Sequence, residues 1–466
     1  MSRPKLSWSD LAGARVGIWG LGREGHASLR KLATLGADPV LVDDRPSGPV
    51  EGHPVLVTGA GGLAALAGCD AVVKTPGMSR YRPELAQLTA AGVPVAGGLG
   101  LWLAEADLRR VLVVTGTKGK STTSSVAGHL IGGLGYRVMV GGNIGAPPYD
   151  PEAGADFDYW VIEVSSYQAT DLPCSPPVVA VTSLHPDHLD WHGGVEQYYR
   201  DKLSACSQPG ADLTVANGDS DLLREHAALL GPRVEWVSEH DDAAADWMEP
   251  LGLPGRHNRR NALIARRCLI ALGLPGAGDT GAADGRLRAA AAGYQPLPSR
   301  LTPVGTVAGV SFVDDSLSTN VLPTLAALDA FPDRRIALIV GGHDRGIDYT
   351  PLAAGVLARA APTRVLTLPD SGPRIRALIE AAAGPLPAGP PPAGPPASGF
   401  AGVSDCPDLD AAVAAGFGWA RPDGVVLLSP AAPSFGHFKD YRDRGEAFAR
   451  AVRALPDNPD NPGNLV

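Results

Sequence analysis

The segment that most constrains the fold is residues 111–122, in which four apolar residues lead directly into a glycine-bounded loop. Gly116 and Gly119 allow backbone N–H groups to point inward around phosphate oxygens. Lys120 supplies a compact cation, and the hydroxyl of Ser121 can ligate magnesium. The segment therefore predicts a strand followed by a phosphate-binding loop, with a nucleoside triphosphate as the ligand.

This loop is a variant of the usual phosphate-binding motif, because Val114 stands where the first glycine of that motif is expected. Gly-Lys-Ser also occurs in ordinary loops, so the context decides the interpretation. The apolar run before it and the helix-compatible residues 122–134 after it favour a phosphate site at the start of a helix.

Strand-like and helix-like stretches alternate along the chain in three successive series, which indicates parallel sheets of the α/β class. The predicted helices are residues 25–35, 122–134 and 195–206. The predicted strands are residues 16–19, 40–42, 55–57, 71–73, 111–114, 159–164, 178–182, 310–313, 336–340, 364–368 and 425–428.

At 466 residues the chain exceeds what one hydrophobic core usually organises. Proline and glycine near residues 94–98 and 296–299 mark two boundaries. We therefore predict three domains, at residues 1–97, 98–298 and 299–466. In the last domain, the low-complexity residues 381–400 are predicted to be a flexible loop and residues 456–466 a disordered tail.

Composition narrows the functional class. The net charge of −9 comes without clusters of basic residues, which disfavours a nucleic-acid partner. No apolar stretch approaches the roughly 18 residues that span a bilayer, and residues 1–15 lack the apolar core of a signal peptide. Five scattered cysteines without a C-x-x-C pair argue against disulfides and zinc. We expect a cytoplasmic protein with no membrane association.

Residues 20–25 form a complete G-x-G-x-x-G motif after a predicted strand, and Asp43 and Asp44 follow the next strand. Alone, this pattern suggests NAD binding, with the acid holding a ribose hydroxyl. A tight strand-to-helix turn is the simplest alternative, and a site for another nucleotide, such as a UDP group, is the third. The downstream phosphate loop favours the third, because a dehydrogenase needs no second nucleotide site.

Two further groups of polar residues follow predicted strands. Glu163 ends the strand at 159–164, at the sheet edge where ligands bind, so it is a candidate magnesium ligand rather than a helix cap or ion-pair partner. The His- and Asp-rich residues 184–192 suggest a metal or phosphate site, although any single histidine there fits an ordinary loop. On spacing alone, Lys202 in the next predicted helix is only a solvated charge.

An ordered set of motifs across nearly the whole chain resembles the Mur ligase family. These motifs are residues 116–122, 141–145, 163–168, 187–190, 198–202, 255–261, 315–316, 319–320 and 428–434. The resemblance implies a UDP-sugar-binding domain, a central ATP-binding domain and a C-terminal Rossmann-like domain. It implies that ATP phosphorylates the alanine carboxylate of UDP-N-acetylmuramoyl-L-alanine and that glutamate attacks the acyl phosphate, in peptidoglycan precursor synthesis by a monomer.

The resemblance also implies site residues, which include two magnesium sites and a carbamate on Lys202. The catalytic residues are Lys120, His188 and Lys202. The metal ligands are Ser121, Glu163, His188 and Lys202. The ATP-binding residues are Gly116, Thr117, Lys118, Gly119, Lys120, Ser121, Thr122, Asn258, Asn261, Arg300 and Asp315. The UDP-substrate residues are Gly22, Arg23, Glu24, Asp43, Asp44, Arg45 and Asn143. The glutamate-binding residues are Arg345, Ser434 and Tyr441.

Two departures from the family pattern lie around the amino-acid pocket. Leu317 and Arg345 stand where family members commonly carry lysine. Losing one ammonium, and replacing the other by a planar guanidinium, should move the anchor for the glutamate α-carboxylate. One branch of the family adds L-glutamate, after which a separate epimerase inverts the product. The charged Arg23-Glu24 pair also resembles that branch, so we favour L-glutamate over D-glutamate.

Two alternatives of other classes remain open at this point. An NAD-dependent oxidoreductase would be built on residues 20–25. A non-catalytic nucleotide-binding subunit would explain the phosphate loop, but it would not need the full set of Lys120, Glu163, His188 and Lys202.

Overall fold

The computed structural model describes residues 3–242, 246–278, 281–384 and 399–458. The chain forms two compact units. The first comprises Met1–Gly252 and Asn258–Tyr294, and the second comprises Leu253–His257 and Gln295–Val466. Three sheets are present, two in the first unit and one in the second. The division of residues 1–298 into two domains stays a prediction.

The first sheet has the order β3-β2-β1-β4-β5, and all of its paired strands are parallel. Its strands are β1 (Arg15–Trp19), β2 (Asp38–Asp43), β3 (Val55–Val57), β4 (Ala71–Lys74) and β5 (Val95–Gly97). The helices of this region are α1 (Arg23–Thr34), α2 (Leu63–Ala67), α3 (Pro83–Ala90) and α4 (Gly98–Leu103).

The second sheet has the order β11-β10-β9-β6-β8-β7 and is also parallel. Its strands are β6 (Val111–Thr115), β7 (Val138–Gly142), β8 (Tyr159–Glu163), β9 (Val178–Val181), β10 (Leu213–Asn217) and β11 (Arg233–Val237). The helices are α5 (Lys120–Gly133), α6 (Ser166–Ala169), α7 (Leu189–His192), α8 (Val195–Leu203), α9 (Asp221–Glu225), α10 (Arg256–Ala271) and α11 (Gly281–Ala291).

Buried contacts join these two sheets into one unit. The ring centroids of Trp8 and Tyr149 are 5.0 Å apart, and the indole N–H of Trp8 donates to the carbonyl of Gly98. Lys74, at the end of β4, forms a buried ion pair with Asp171, which follows α6. Since these residues are distant in sequence, the contacts stabilise the unit only once both sheets have formed.

The sheet of the second unit has the order β12-β13-β17-β14-β15-β16, with only β12 antiparallel to its neighbour among the described strands. Its strands are β12 (Thr302–Val307), β13 (Val310–Asp314), β14 (Ile336–Gly342), β15 (Thr363–Asp370), β16 (Phe400–Asp405) and β17 (Val425–Leu428). Its helices are α12 (Val321–Asp329), α13 (Thr350–Ala358), α14 (Gly372–Ala383), α15 (Leu409–Ala420) and α16 (Tyr441–Arg453).

The predicted α/β class with mostly parallel sheets is confirmed. The predicted flexible loop at residues 381–400 is wrong at both ends, since residues 381–383 belong to α14 and Phe400 begins β16. Residues 385–398 of that tract lie outside the described residues, as do residues 459–466 of the predicted tail. Across the described part of the chain, every helix is too short or too polar to cross a bilayer.

Candidate functional site

The loop between β6 and α5 is shaped by two glycines that have no room for a side chain. Gly116 has φ +131°, and a Cβ there would lie 2.3 Å from the hydroxyl of Thr182. Gly119 has φ +90°, and a Cβ there would lie 2.7 Å from the side-chain oxygen of Asn261. The structure thus brings Asn261, predicted to bind ATP, against the predicted phosphate loop.

The residues that follow β9 form hydrogen bonds with the loop between β6 and α5. The hydroxyl of Thr182 donates to the carbonyl of Lys118 at 2.6 Å, and the amide of Lys118 donates to the Ser183 hydroxyl at 2.8 Å. The hydroxyls of Thr117 and Tyr198 lie 2.9 Å apart. The loop is therefore fixed by contacts with the segment after β9 and with α8.

Two lysines converge on the same loop. The Lys120 ammonium donates to the carbonyls of Gly116 and Thr117, at 2.9 and 3.1 Å. The buried Lys202 donates to the Gly116 carbonyl at 3.0 Å. Burial, followed by repulsion from Lys120, holds the pKa of Lys202 well below its usual value. A lysine in that state is a ready nucleophile or carbamate former.

Lys118, Ser121 and Thr122 complete the predicted phosphate segment. The ammonium of Lys118 lies 3.5 Å from a carboxylate oxygen of Asp187. Ser121 and Thr122 are partly buried in the first turn of α5. Asn258 and Asn261 are buried on α10, with 3.5 Å between the Asn261 amide nitrogen and the Asn258 amide oxygen.

Glu163 ends β8 directly beside Val114 of β6, and it is 1% exposed. One carboxylate oxygen, Oε1, accepts a hydrogen bond of 2.7 Å from the amide of Asn143. No described residue donates a hydrogen bond to the other oxygen, Oε2. A buried carboxylate oxygen without a donor is costly unless a cation binds it, so the geometry fits a metal ligand.

Among the described residues, no three His, Cys, Asp or Glu side chains are gathered into a metal-binding group. Magnesium in nucleotide sites needs few protein ligands, because phosphate oxygens and water supply most of its coordination.

His188 precedes α7 in the left-handed region, with φ +51°. Its side chain is half exposed, and its ring centroid lies 5.0 Å from that of Tyr167. Loss of water around the shielded half of the ring lowers the pKa of His188 despite the nearby Asp187 carboxylate. The neutral imidazole favoured by this environment is the form that ligates a metal.

A buried network around His192 was not found from the sequence. Its Nδ1 lies 2.6 Å from Asp201, and its Nε2 lies 2.9 Å from the Ser166 hydroxyl. Tyr81, which precedes α3, donates to Asp201 at 2.7 Å. The network joins α6, α7 and α8, and so fixes the elements beside His188 and Lys202. The one sequence signal for this network was the His- and Asp-rich stretch at residues 184–192.

The predicted UDP-binding turn between β1 and α1 is tight. A Cβ on Gly25 would lie 2.1 Å from the Gly20 carbonyl oxygen. Asp43 closes the turn by accepting hydrogen bonds from the amides of Leu21 and Arg45, at 2.8 and 2.9 Å. This geometry explains the glycine motif as a packing requirement, whichever nucleotide is bound.

The remaining predicted UDP-site residues divide into two groups. Gly22 and Arg45 are exposed, and Asp44 forms an ion pair of 2.6 Å with Arg82. Arg23, Glu24 and Asn143 instead make contacts between the first and second sheets, as described below. Arg82 stacks over Trp19 at 5.0 Å and was not singled out from the sequence.

In the second unit, Asp315 follows β13 and is buried. It accepts hydrogen bonds from the hydroxyls of Ser318 and Ser429 and from the amide of Leu301. Burial raises the pKa of Asp315 to about 7 although these donors favour its ionised form. Arg300 lies next to this cluster in the chain and is partly buried.

The predicted glutamate residues are distributed around the carboxyl ends of β14 and β17. Ser434 lines a cavity of about 200 Å³ together with Gly342, His437 and Arg444. Arg345 is exposed, with its guanidinium 5.9 Å from the ring centroid of Phe435. Tyr441 begins α16.

Arg444 in this cavity was missed by the sequence analysis. It donates to the carbonyls of Ser316 and Ala432, and no described group accepts from its Nε. Burial lowers the pKa of Arg444 to about 10. The neighbouring Leu317 is partly buried and uses its amide to donate to Ser299.

Two family models match the chain. One described as the Mur ligase middle domain matches residues 114–269, and one described as the Mur ligase glutamate ligase domain matches residues 299–432. Together with the fold and the phosphate loop, these matches define an enzyme of the ligase class. The chain belongs to the Mur ligase family.

Relatives align over nearly the full chain. A UDP-N-acetylmuramoyl-L-alanine--L-glutamate ligase from Micromonospora sp. is 41% identical over 95% of this chain and 97% of its own length. A protein of the same name from Xanthomonas euvesicatoria pv. vesicatoria is 38% identical over 95% and 96%.

Solved structures share the fold. The UDP-N-acetylmuramate-alanine ligase of Thermotoga maritima has a TM-score of 0.53 at 17% identity, covering 95% of this chain and 99% of its own. The MurF ligase of the same organism, solved in complex with ADP, has a TM-score of 0.52 at 14% identity, covering 96% and 97%. At these identities the likeness concerns the fold alone.

Proposed function

We propose that the protein is an ATP-dependent ligase that joins L-glutamate to UDP-N-acetylmuramoyl-L-alanine. The observation that carries the proposal is the rigid loop at residues 116–119 beside Glu163, whose Oε2 has no donor among the described residues. Relatives of 36–41% identity over 95% of the chain, named as L-glutamate ligases of this nucleotide, support the choice of substrates.

The proposed reaction needs no nucleophile from the protein. The alanine carboxylate attacks the γ-phosphorus of ATP and ADP leaves, which gives an acyl phosphate. The glutamate amine then attacks the acyl carbon, loses a proton, and phosphate departs as the amide forms. The protein's task is to align the reactants and to stabilise negative charge on the transferred group.

In this scheme, Lys120 and the amides of residues 116–121 hold the β- and γ-phosphates. The Lys120 ammonium donates hydrogen bonds to the carbonyls of Gly116 and Thr117, so it lies beside the loop that is proposed to bind phosphate. Asn261 and Asn258 contribute to the nucleotide pocket. Arg300 and Asp315 of the second unit are proposed to contact ATP.

Magnesium is proposed to bind Glu163 through Oε2, with Ser121 as a second protein ligand. Bound there, the ion would neutralise charge on the phosphates during transfer. A second magnesium is proposed at His188 and Lys202. For that site, the neutral amine of Lys202 would attack carbon dioxide and release a proton to solvent, which gives a carbamate anion. Burial favours the neutral amine because it lowers the pKa of Lys202.

The nucleotide substrate is proposed to bind beside the first sheet, with Asn143 near its acyl group. The residues proposed to hold it there are Gly22, Arg23, Glu24, Asp43, Asp44 and Arg45. Glutamate is proposed to bind the second unit at Arg345, Ser434 and Tyr441. The cavity of about 200 Å³ beside Ser434 offers space for a small amino acid. The enzyme would act on small molecules as a monomer.

The choice of L-glutamate rests on the relatives' names and on Leu317 and Arg345. An exposed guanidinium over Phe435 can hold a carboxylate with two parallel hydrogen bonds, which a lysine cannot. The L-configured product would need an epimerase to supply the D-configured precursor.

Phosphate release tests the proposal. With UDP-N-acetylmuramoyl-L-alanine, ATP and magnesium, release should require glutamate and should be faster with the L-enantiomer. No release with either enantiomer would reject the ligase proposal. Phosphate release with D-glutamate alone would reject the specificity for L-glutamate but would still support a glutamate ligase.

A further inference from the structure

Arg23 and Glu24, at the start of α1, reach across to the second sheet. The Nη2 atom of Arg23 donates to the carbonyls of Gly142 and Asn143, at 3.0 and 2.9 Å. The Glu24 carboxylate accepts a 2.7 Å hydrogen bond from the side-chain amide of Gln168. Both acceptors of Arg23 and the donor to Glu24 belong to segments that flank Glu163.

On the first flank, Asn143 is held tightly against Glu163. The Asn143 backbone amide donates to the Glu163 carbonyl at 2.8 Å, and its side chain donates to Oε1 at 2.7 Å. Gly142 has φ +96°, and a Cβ there would lie 2.4 Å from the Glu163 carbonyl oxygen. Since Arg23 binds the two carbonyls of this turn, it fixes the group that orients the carboxylate.

On the second flank, Gln168 is part of the capping box that begins α6. Its Oε1 accepts from the Ser165 amide at 2.9 Å, while its amide nitrogen donates to Glu24. Glu24 is held in turn by the Tyr149 hydroxyl at 3.3 Å. The chain that leaves Glu163 is therefore tied to the first sheet as well.

We propose that Arg23 and Glu24 are positioning residues for Glu163, and that they hold its Oε2 in the direction that receives the metal ion of the bound nucleotide. The proposal rests on the function proposed above, and it gives these two residues a role beyond contact with the UDP group. Groups that orient a metal ligand commonly change metal affinity when they are removed.

A general docking role is the competing explanation, and the structure offers a matched control for it. Arg30 lies on the same helix α1 and pairs with Asp150, at 3.0 and 2.5 Å, in the same inter-sheet contact. The described side-chain hydrogen bonds of Asp150 join it to Arg30 and to the amide of Glu152 rather than to Glu163. If α1 only docks the two sheets, loss of Arg30 and loss of Arg23 should have similar effects.

The test measures the binding of Mn²⁺ to the full chain in the presence of a non-hydrolysable ATP analogue. Electron paramagnetic resonance reports how much Mn²⁺ is bound. Arg23→Met should weaken Mn²⁺ binding about tenfold, towards the level of Glu163→Gln. Arg30→Met should leave Mn²⁺ affinity unchanged. Thermal unfolding of each variant verifies that the protein is folded at the assay temperature.

Glu24 provides a second, independent pair of variants. Glu24→Gln keeps an oxygen that can accept from Gln168, whereas Glu24→Leu does not, so only Glu24→Leu should weaken Mn²⁺ binding. Equal Mn²⁺ affinities for Arg23→Met and Arg30→Met, or for the two Glu24 variants, would overturn the inference. Absence of Mn²⁺ binding to the unsubstituted protein would instead reject the metal site of the proposed function.

Discussion

At the scale of single residues, the candidate site depends on ionisable groups that are buried. Glu163 and Lys202 could be proposed from the sequence, because strand ends and family motifs mark them. Their surroundings could not, since Asn143 lies 20 positions from Glu163 and Gly116 lies 86 positions from Lys202. Burial and partners at such separations follow from packing, which single-sequence patterns do not encode.

Lys202 gives a direct test of the carbamate. Lys202→Ala should abolish phosphate release, because it removes both the amine and any anion formed on it. Short carboxylic acids such as acetate should partly restore release, since they can occupy the space of the carbamate and supply its oxygens. Phosphate release is measured against acid concentration.

The matched control is Lys120→Ala, which also loses a cation from the loop but cannot be rescued by an anion. Equal rescue of both variants, or rescue of neither, would contradict a carbamate on Lys202.

Asp315 predicts a pH dependence of stability in the second unit. Its pKa is about 7 in the folded protein and 3.8 as its ordinary value. Because the folded pKa is raised, the protonated side chain stabilises the fold fully below pH 4, and this contribution is lost as the pH rises towards 7. Between pH 5 and 7 the loss should be about 2 kcal/mol.

Asp315→Asn mimics the protonated side chain and cannot ionise. The free energy of unfolding, measured in urea at pH 5 and pH 7, should therefore fall less for this variant than for the unsubstituted protein. Identical pH slopes for the two proteins would show that Asp315 is ionised throughout this range.

At the scale of secondary structure, most central strands were predicted because they are continuous apolar runs buried on both faces. β6, β14 and β17 are buried along their whole lengths. The missed strands are β5, β7, β10, β11, β12 and β16, of which β10 lies inside its sheet and the others lie at sheet edges. The edge strands β11 and β12 are partly exposed, and β12 contains Pro303 and Gly305. Proline and glycine weaken the sequence pattern of a strand. β12 forms a strand nevertheless, because it pairs with β13.

The phosphate loop yields a prediction about Gly116. Gly116→Ala should raise the dissociation constant of ATP strongly, because the new Cβ would lie 2.3 Å from the Thr182 hydroxyl and would displace the loop. Gly135→Ala is the control, because Gly135 also has positive φ, at +95°, but has nothing within 4 Å of its Cβ position. ATP affinity can be measured by calorimetry.

Both variants should lose some stability from backbone strain, whereas only Gly116→Ala should lose affinity. An unchanged ATP affinity in Gly116→Ala would mean that the loop does not bind phosphate.

At the scale of the whole molecule, the first two sheets form one compact unit, with contacts that no local pattern indicated. The buried pair of Lys74 and Asp171 is the strongest example, since Lys74 ends a strand of the first sheet and Asp171 follows α6, which packs with the second sheet. The proline and glycine residues at 94–98 indicate where one series of strands ends. They carry no information about how two neighbouring sheets pack.

Lys74→Met should destabilise the first unit, because among the described residues it leaves the buried Asp171 carboxylate with Arg80 alone as an ion-pair partner. The expected loss in the free energy of unfolding is about 3 kcal/mol. Arg233→Met, which breaks an exposed ion pair with Asp212 in the same unit, should change it little. Similar urea midpoints for the two variants would contradict the expected contribution of the Lys74–Asp171 pair to the free energy of unfolding.

The central claim is that the enzyme ligates L-glutamate to a UDP-muramoyl nucleotide. It is tested most directly by supplying racemic glutamate with UDP-N-acetylmuramoyl-L-alanine, ATP and magnesium, and by isolating and hydrolysing the nucleotide product. Chiral chromatography then reports the configuration of the incorporated glutamate. We predict a product that contains L-glutamate in excess over D-glutamate. A product with only D-glutamate, or no glutamylated nucleotide at all, would contradict the account.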